Sequence, residues 1–206
     1  MISSHLSGRR ITRAAAVIGA AAALALSLAA ANHGGAARHP AYGSKGFTFK
    51  LVHTPGVPCL SKANGSVTIT KNSLNDVMKI TVHNLPKKTG FDLFVIQTPN
   101  KPFGVAWYQT DVETDSHGNG TATVQGVFNK ETFSLSAGGT TTFAPTHQYH
   151  LGLWFNSPSV PFKLGCEAPA TSPVITPFNG EQHAGIQILN TSNFPDAAGP
   201  LSHVSA

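Results

Sequence analysis

Charged side chains are scarce in this 206-residue chain: Asp, Glu, Lys and Arg together make up 11%. Sulfur and the largest aromatics are scarce too, with two Cys, two Met and two Trp. Beyond the N-terminal run, no stretch carries apolar residues at helical spacing, which excludes a helical bundle. The chain holds no GxSxG, no HExxH, no CxxC and no Gly-rich phosphate loop ending in Lys. Nucleophile-elbow hydrolases, zincins, dithiol redox proteins and P-loop enzymes therefore find no support. A clustered basic face is missing as well. Past residue 31, Lys87-Lys88 is the only adjacent basic pair, which argues against nucleic-acid binding.

What is there begins with an export pattern. Arg9, Arg10 and Arg13 precede an uncharged run from Ala14 to Ala31 that ends in three alanines. A cationic patch, a short apolar stretch and small residues at the exit predict a signal peptide over 1–31. The competing reading is a membrane anchor, since about 20 residues span a bilayer. The alanine content and the small residues at the end favour cleavage, and no membrane span is expected afterwards. Arg9-Arg10 also raises the twin-arginine route, although Thr12 and Arg13 stand where apolar residues are usual. The leader removes three of the 14 basic residues and none of the nine acids. The remaining 11 against 9 give a mature charge of +2.

Residues 32–45 read as a flexible spacer of Gly, Ala, His and Pro. From Gly46 the period becomes two. Phe47, Phe49 and Leu51 alternate with polar neighbours; so do Val67 and Ile69, and then Met78, Ile80 and Val82. Such alternation predicts half-buried strands. Asn64-Gly65 reads as a hairpin turn. Gly90–Gln97 is apolar on both faces and reads as a central strand. Further strands are expected over 103–108, 121–128, 131–135 and 149–155, with a Gly/Thr loop over 136–145. A last hairpin is expected around Asn179-Gly180. The prediction is an all-β, antiparallel, immunoglobulin-like β-sandwich over 46–192, with a loose tail over 193–206. Two cysteines with none left over in an exported chain predict one disulfide, Cys59–Cys166.

Two candidate sites emerge. Asp111, Glu113, Asp115 and His117 alternate with Val112, Thr114 and Ser116, so on a strand they share one face. Three carboxylates in a row need water, a lysine or a cation; oxygen ligands of this kind suit calcium, with zinc an alternative. The simpler reading makes DSHGNG (115–120) a hairpin turn capped by Asp115. Trp107, Tyr108 and Trp154, with His150 on the Trp154 face, could form an aromatic platform for a sugar or apolar ligand, or they belong to the core. His147 and His150 lie three apart on a strand and point to opposite faces, which opposes a metal pair.

Four segments, FDLFVIQTP (91–99), WYQTDVETDSHGNG (107–120), YHLGLWFNSP (149–158) and TPFNG (176–180), resemble a group of secreted proteins from actinomycete-like and related soil bacteria. The similarity runs over most of 46–200. It implies export and a bacterial source, and it brings no catalytic residues with it. The expectation is an extracellular, non-catalytic module that binds an unknown ligand or a wall polymer. It needs no cofactor, with calcium as the exception if the acidic row is a site.

Overall fold

The computed structural model describes residues 46–72, 75–128, 134–136, 139–141, 149–178 and 181–204. The leader, the spacer and His147 lie outside them. The fold is antiparallel and nearly all β. Its strands are β1 (Phe47–His53), β2 (Asn64–Thr70), β3 (Asp76–His83), β4 (Gly90–Ile96), β5 (Ala106–Glu113) and β6 (Gly120–Gly126). Then come β7 (Ser134–Ser136), β8 (Gly139–Thr141), β9 (His150–Phe155), β10 (Thr176–Phe178), β11 (Glu181–Ala184) and β12 (Gln187–Asn190). One short helix, α1 (Ser159–Lys163), and a closing 3-10 turn (Pro200–His203) complete the described elements.

Eight strands form one hydrogen-bonded order, β5-β4-β9-β12-β1-β2-β3-β6. β1 is the fold line. Phe47 to Leu51 pair with β2, whereas Val52 and His53 pair with β12. The order therefore divides into two sheets, β1-β2-β3-β6 and β5-β4-β9-β12. Apolar residues of both meet in one core, including Phe49, Ile69 and Ile80 from the first and Phe91, Leu153 and Leu189 from the second. β3 pairs with β6 and β4 with β9, so the chain changes sheet from β3 to β4, from β5 to β6 and again between β6 and β9. The result is an antiparallel β-sandwich. At the end opposite β1, the outer strands β5 and β6 meet through a Thr114–Gly120 bridge.

The alternation in β1, β2 and β3 buries the residues it picks out: Phe47, Phe49 and Leu51, then Val67 and Ile69, then Met78, Ile80 and Val82. β4 lies between β5 and β9, and all but its first residue are buried, as its two apolar faces require. Cys59 and Cys166 are bonded, with Cα atoms 4.7 Å apart and a sequence separation of 107. In the chain-entropy view such a bridge stabilises by roughly 4–5 kcal/mol before strain is subtracted.

Some expectations are corrected. Asn64-Gly65 is not a turn; it opens β2, opposite His83 and Val82. The extended run expected from Phe103 starts only at Ala106. Residues 139–141, expected in a loop, form β8 and pair with β7. β10 pairs with β11, the expected turn residues Asn179-Gly180 lie outside the described residues, and Gly185-Ile186 separates β11 from β12. The C-terminal segment is not loose over 193–204. Phe194 packs edge-on against Phe49, and Leu201 and Val204 are buried in the core. Among the described residues, no helix is long and apolar enough to cross a membrane.

Candidate functional site

The two sheets treat their outer faces differently. The first exposes Thr48, Lys50, Lys79 and Thr121. The second buries Phe94, Ile96 and Trp154 beneath Phe103, Ala106 and Ala184. Its cover comes from the loop 97–105 and from β11. Two β-bulges decide what lies there. On β12, Gln187 pairs with Trp154 and Leu189 with Leu153, so Ile188 is the extra residue. On β5, Tyr108 pairs with Phe94 and Thr110 with Leu93, so Gln109 is the extra residue. An inserted residue resets the alternation. Residues three apart then share the outer face, Gln187 with Asn190 and Tyr108 with Asp111.

Both pairs are hydrogen-bonded. The Asn190 amide donates to Gln187 Oε1 at 2.9 Å, and the Tyr108 hydroxyl donates to Asp111 at 2.9 Å. Partial burial, then that bond and the Asp111 charge, push the Tyr108 hydroxyl up to about 12. Gln187 is 5% exposed. Its Oε1 also accepts from the Thr54 hydroxyl at 3.4 Å. Two donors on one side of the amide fix its orientation, because a flipped amide would face them with a third donor. The Gln187 Nε2 hydrogens have no partner. Gly152 makes this possible: a Cβ there would lie 2.5 Å from Nε2 and 2.2 Å from the Trp154 ring.

Beside Gln187 opens a cleft of about 450 Å³. The loop after β1 (Thr54 to Pro58) forms one wall, and Cys166, Glu167 and Ala168 form another. The disulfide joins these walls. Asn100, Lys101 and Phe103 come from the loop 97–105, Val174 and Thr176 from the approach to β10, and Ile186 from the edge of β12. Glu167 Oε2 accepts the Val174 backbone N–H at 2.8 Å. Its Oε1 is shielded from water and has no partner. A buried polar atom left unpaired costs about 1–3 kcal/mol. Two residues of the cleft wall, Gln187 and Glu167, therefore each hold one unpartnered polar atom beneath its surface.

The residues expected to form the aromatic platform separate. Trp107 packs on the inter-sheet core. Tyr108 is on the other face, 48% exposed, edge-on to Phe94. Trp154 is fully buried, edge-on to both Phe94 and Phe103, and backs the cleft without offering a stacking face. His150 is also fully buried. Its Nε2 donates to the Asp196 carbonyl at 3.1 Å, and its Nδ1 accepts from the Thr191 hydroxyl at 2.9 Å. Burial lowers its pKa, only partly offset by the Asp196 carbonyl. It is a latch for the C-terminal segment.

The acidic row also separates. Asp111 bonds Tyr108, as above. Asp115 caps the β5–β6 turn, accepting the backbone N–H groups of His117 at 2.7 Å and Asn119 at 3.0 Å. Those bonds hold its pKa below the ordinary carboxylate range. Gly118 completes the turn at φ +82°, where a Cβ would strike the Leu85 carbonyl. Glu113 and Asp115 line a shallow hollow with His83 and Asn119. Among the described residues, no three His, Cys, Asp or Glu side chains gather as a metal site.

Sequence reading missed Gln187, Glu167, Asn190 and Thr54. The one signal for Gln187 and Asn190 was a polar residue at each end of the buried strand QILN (187–190). Compared with protein-family models and with curated proteins, the chain matches none.

Proposed function

We propose that the chain is exported and that its β-sandwich works outside the cell as a non-catalytic binding module, with the cleft at Gln187 and Glu167 as its ligand site. Export is supported by the leader pattern and by a disulfide of the kind that persists in oxidising compartments. Binding is supported by one observation above others: two polar side chains in the wall of a mostly apolar cleft, Gln187 and Glu167, each hold a buried polar atom without a partner. Sites for small ligands have this composition, apolar walls with a few fixed polar groups. An unused buried donor is costly to stability, so a ligand that satisfies it gains what the free protein forgoes.

The test is a fluorescence titration of the protein with solubilised wall polysaccharide, in wild type and in Val174→Trp, which fills the cleft from its wall. Binding by wild type, lost in the variant with its melting temperature retained, supports the reading. Equal binding by both would move the site elsewhere, and silence towards every wall component would end the proposal.

A further inference from the structure

We propose that the open outer face of the first sheet, β1-β2-β3-β6, is a second binding surface, and that its ligand is a linear polyanion of phosphate-linked polyols. This surface is independent of the cleft, which lies over the other sheet.

Charge is divided unevenly along the domain. Gly46 to His83, which include β1, β2 and β3, hold four lysines and one acid, Asp76. Asp76 is buried. Asn84 to Val204 hold five lysines and eight acids. None of the four early lysines adjoins another in sequence, and the strand register is what gathers them. Thr48, Thr68, Lys79 and Thr123 stand opposite one another in one row across the four strands. Lys50, Ser66, Thr81 and Thr121 form the next. Lys50 and Lys79 thus share a face about 12 Å apart, two strand spacings across and one row along. Both are exposed. The outward positions of the four strands carry no carboxylate.

The face ends in a hollow of about 550 Å³ lined by Lys50, His53, Lys62, Asn64, Ser66 and His83, again without an acid. Lys62 reaches it from a fastened loop. The His53 ring Nε2 donates to the Cys59 carbonyl at 2.7 Å, and Cys59 is held by the disulfide. The Lys62 carbonyl accepts the side-chain amides of Asn64 at 2.9 Å and Asn84 at 3.1 Å. A loop already ordered loses little freedom when its lysine meets an anion. Glu113 and Asp115 border a separate hollow beyond His83, which confines a polyanion to the side of Lys50 and Lys79.

The composition of the face selects the ligand. Lysine acts on phosphate as a point charge, and the rows between the lysines are hydroxyls. Thr48 and Thr68 hydroxyls lie 2.8 Å apart, and the Thr121 hydroxyl donates to that of Thr81 at 3.4 Å. Such rows match a chain that carries its own hydroxyls between its charges. The outward positions hold no aromatic side chain, which single-stranded nucleic acids use for stacking. They hold no Leu, Ile or Phe either, the apolar side chains that an interfacial membrane anchor inserts.

The experiment is titration of end-labelled poly(glycerol phosphate) with the full chain, read by fluorescence anisotropy at two salt concentrations fourfold apart. Contacts from Lys50, Lys62 and Lys79 predict about 20-fold weaker binding at the higher salt, by counterion release from a flexible strand. Lys50→Gln with Lys79→Gln should weaken binding at the lower salt at least about tenfold and reduce the salt effect to about threefold. Lys87→Gln with Lys88→Gln removes the same charge from the loop after β3 and should change binding less than about twofold, because salt screens distant charges. Dextran, which has hydroxyls and no charge, should not bind the face. Val174→Trp should bind the polymer as wild type does, and cleft titrations run at high salt read the cleft alone. Equal losses in the two lysine pairs, or an unchanged salt effect in the Lys50 and Lys79 variant, would overturn the proposal. So would tighter binding of single-stranded DNA or anionic lipid vesicles, or no binding at the lower salt. Loss of polymer binding in Val174→Trp would assign the polymer to the cleft and overturn it as well.

Discussion

The two sheets share a core and differ on their far sides. In β1-β2-β3-β6 the outer face is Thr and Lys in water, and each strand alternates cleanly. In β5-β4-β9-β12 the outer face is roofed by the loop 97–105 and β11. Its strands hold Asp92, His150, Gln187 and Asn190, all buried. The first sheet is built for stability: its buried side chains are apolar except Asp76 at the start of β3. The second spends stability on buried polar groups, and the cleft lies there. Buried polar groups that a domain could replace with apolar ones mark where a fold serves something besides itself.

That contrast can be broken or sharpened by substitution. The largest effect belongs to the shared core. Leu153→Ala, at a fully buried position between the sheets, should cost about 3–5 kcal/mol by chemical denaturation. A loss below about 1 kcal/mol would mean that the sheets are not packed as described. Next, small changes on the two outer faces should differ. Gly152→Ala drives a methyl into Trp154 and Gln187 and should cost about 1–3 kcal/mol. Thr68→Ala, on the open face opposite Thr48, should stay within about 0.5 kcal/mol. Equal costs would erase the distinction.

Acid should act through the second sheet. His150 is neutral in the fold and its pKa is lowered by burial, while in the unfolded chain it titrates near 6.5. Its contribution is complete above about pH 6.5 and is lost as pH falls from there through the lowered folded value. Urea midpoints measured from pH 7.5 to 4.5 should fall over that window, with release of the segment around Asp196. In His150→Gln the decline should be shallower; an unchanged slope would assign the acid sensitivity elsewhere. The smallest effect expected is none: calcium and chelator should leave the melting temperature unchanged, because Asp111 and Asp115 are occupied with Tyr108 and the turn. A rise with calcium would restore the acidic row as a site, since a ligand of the native state stabilises it.

The same contrast explains what could be read from the chain. The first sheet was legible because period-two patterning is the whole of its design: Phe47, Phe49 and Leu51 announce their face directly. The central position of β4 was legible from its unbroken apolar run, and the disulfide from cysteine parity. The cleft was not. Bulges at Gln109 and Ile188 shift the pattern by one, so strict alternation misplaces the residues on one side of each. The argument that separated His147 from His150 would equally have separated Gln187 from Asn190, which are in fact bonded. Glu167 is brought to the site by the disulfide and by α1, long-range features that no local pattern contains. Trp154 looked like a ligand platform because aromatic character is visible in sequence and its roof is not.

The two indoles offer the most direct test, because they lie on opposite faces of the same sheet. In a ¹H–¹⁵N spectrum with tryptophan side chains assigned, solubilised wall polysaccharide should shift the Trp154 indole, which backs the cleft, and leave that of Trp107 in place. A shift of Trp107 alone, or of neither while binding is detected, would contradict the placement of the ligand over the roofed sheet.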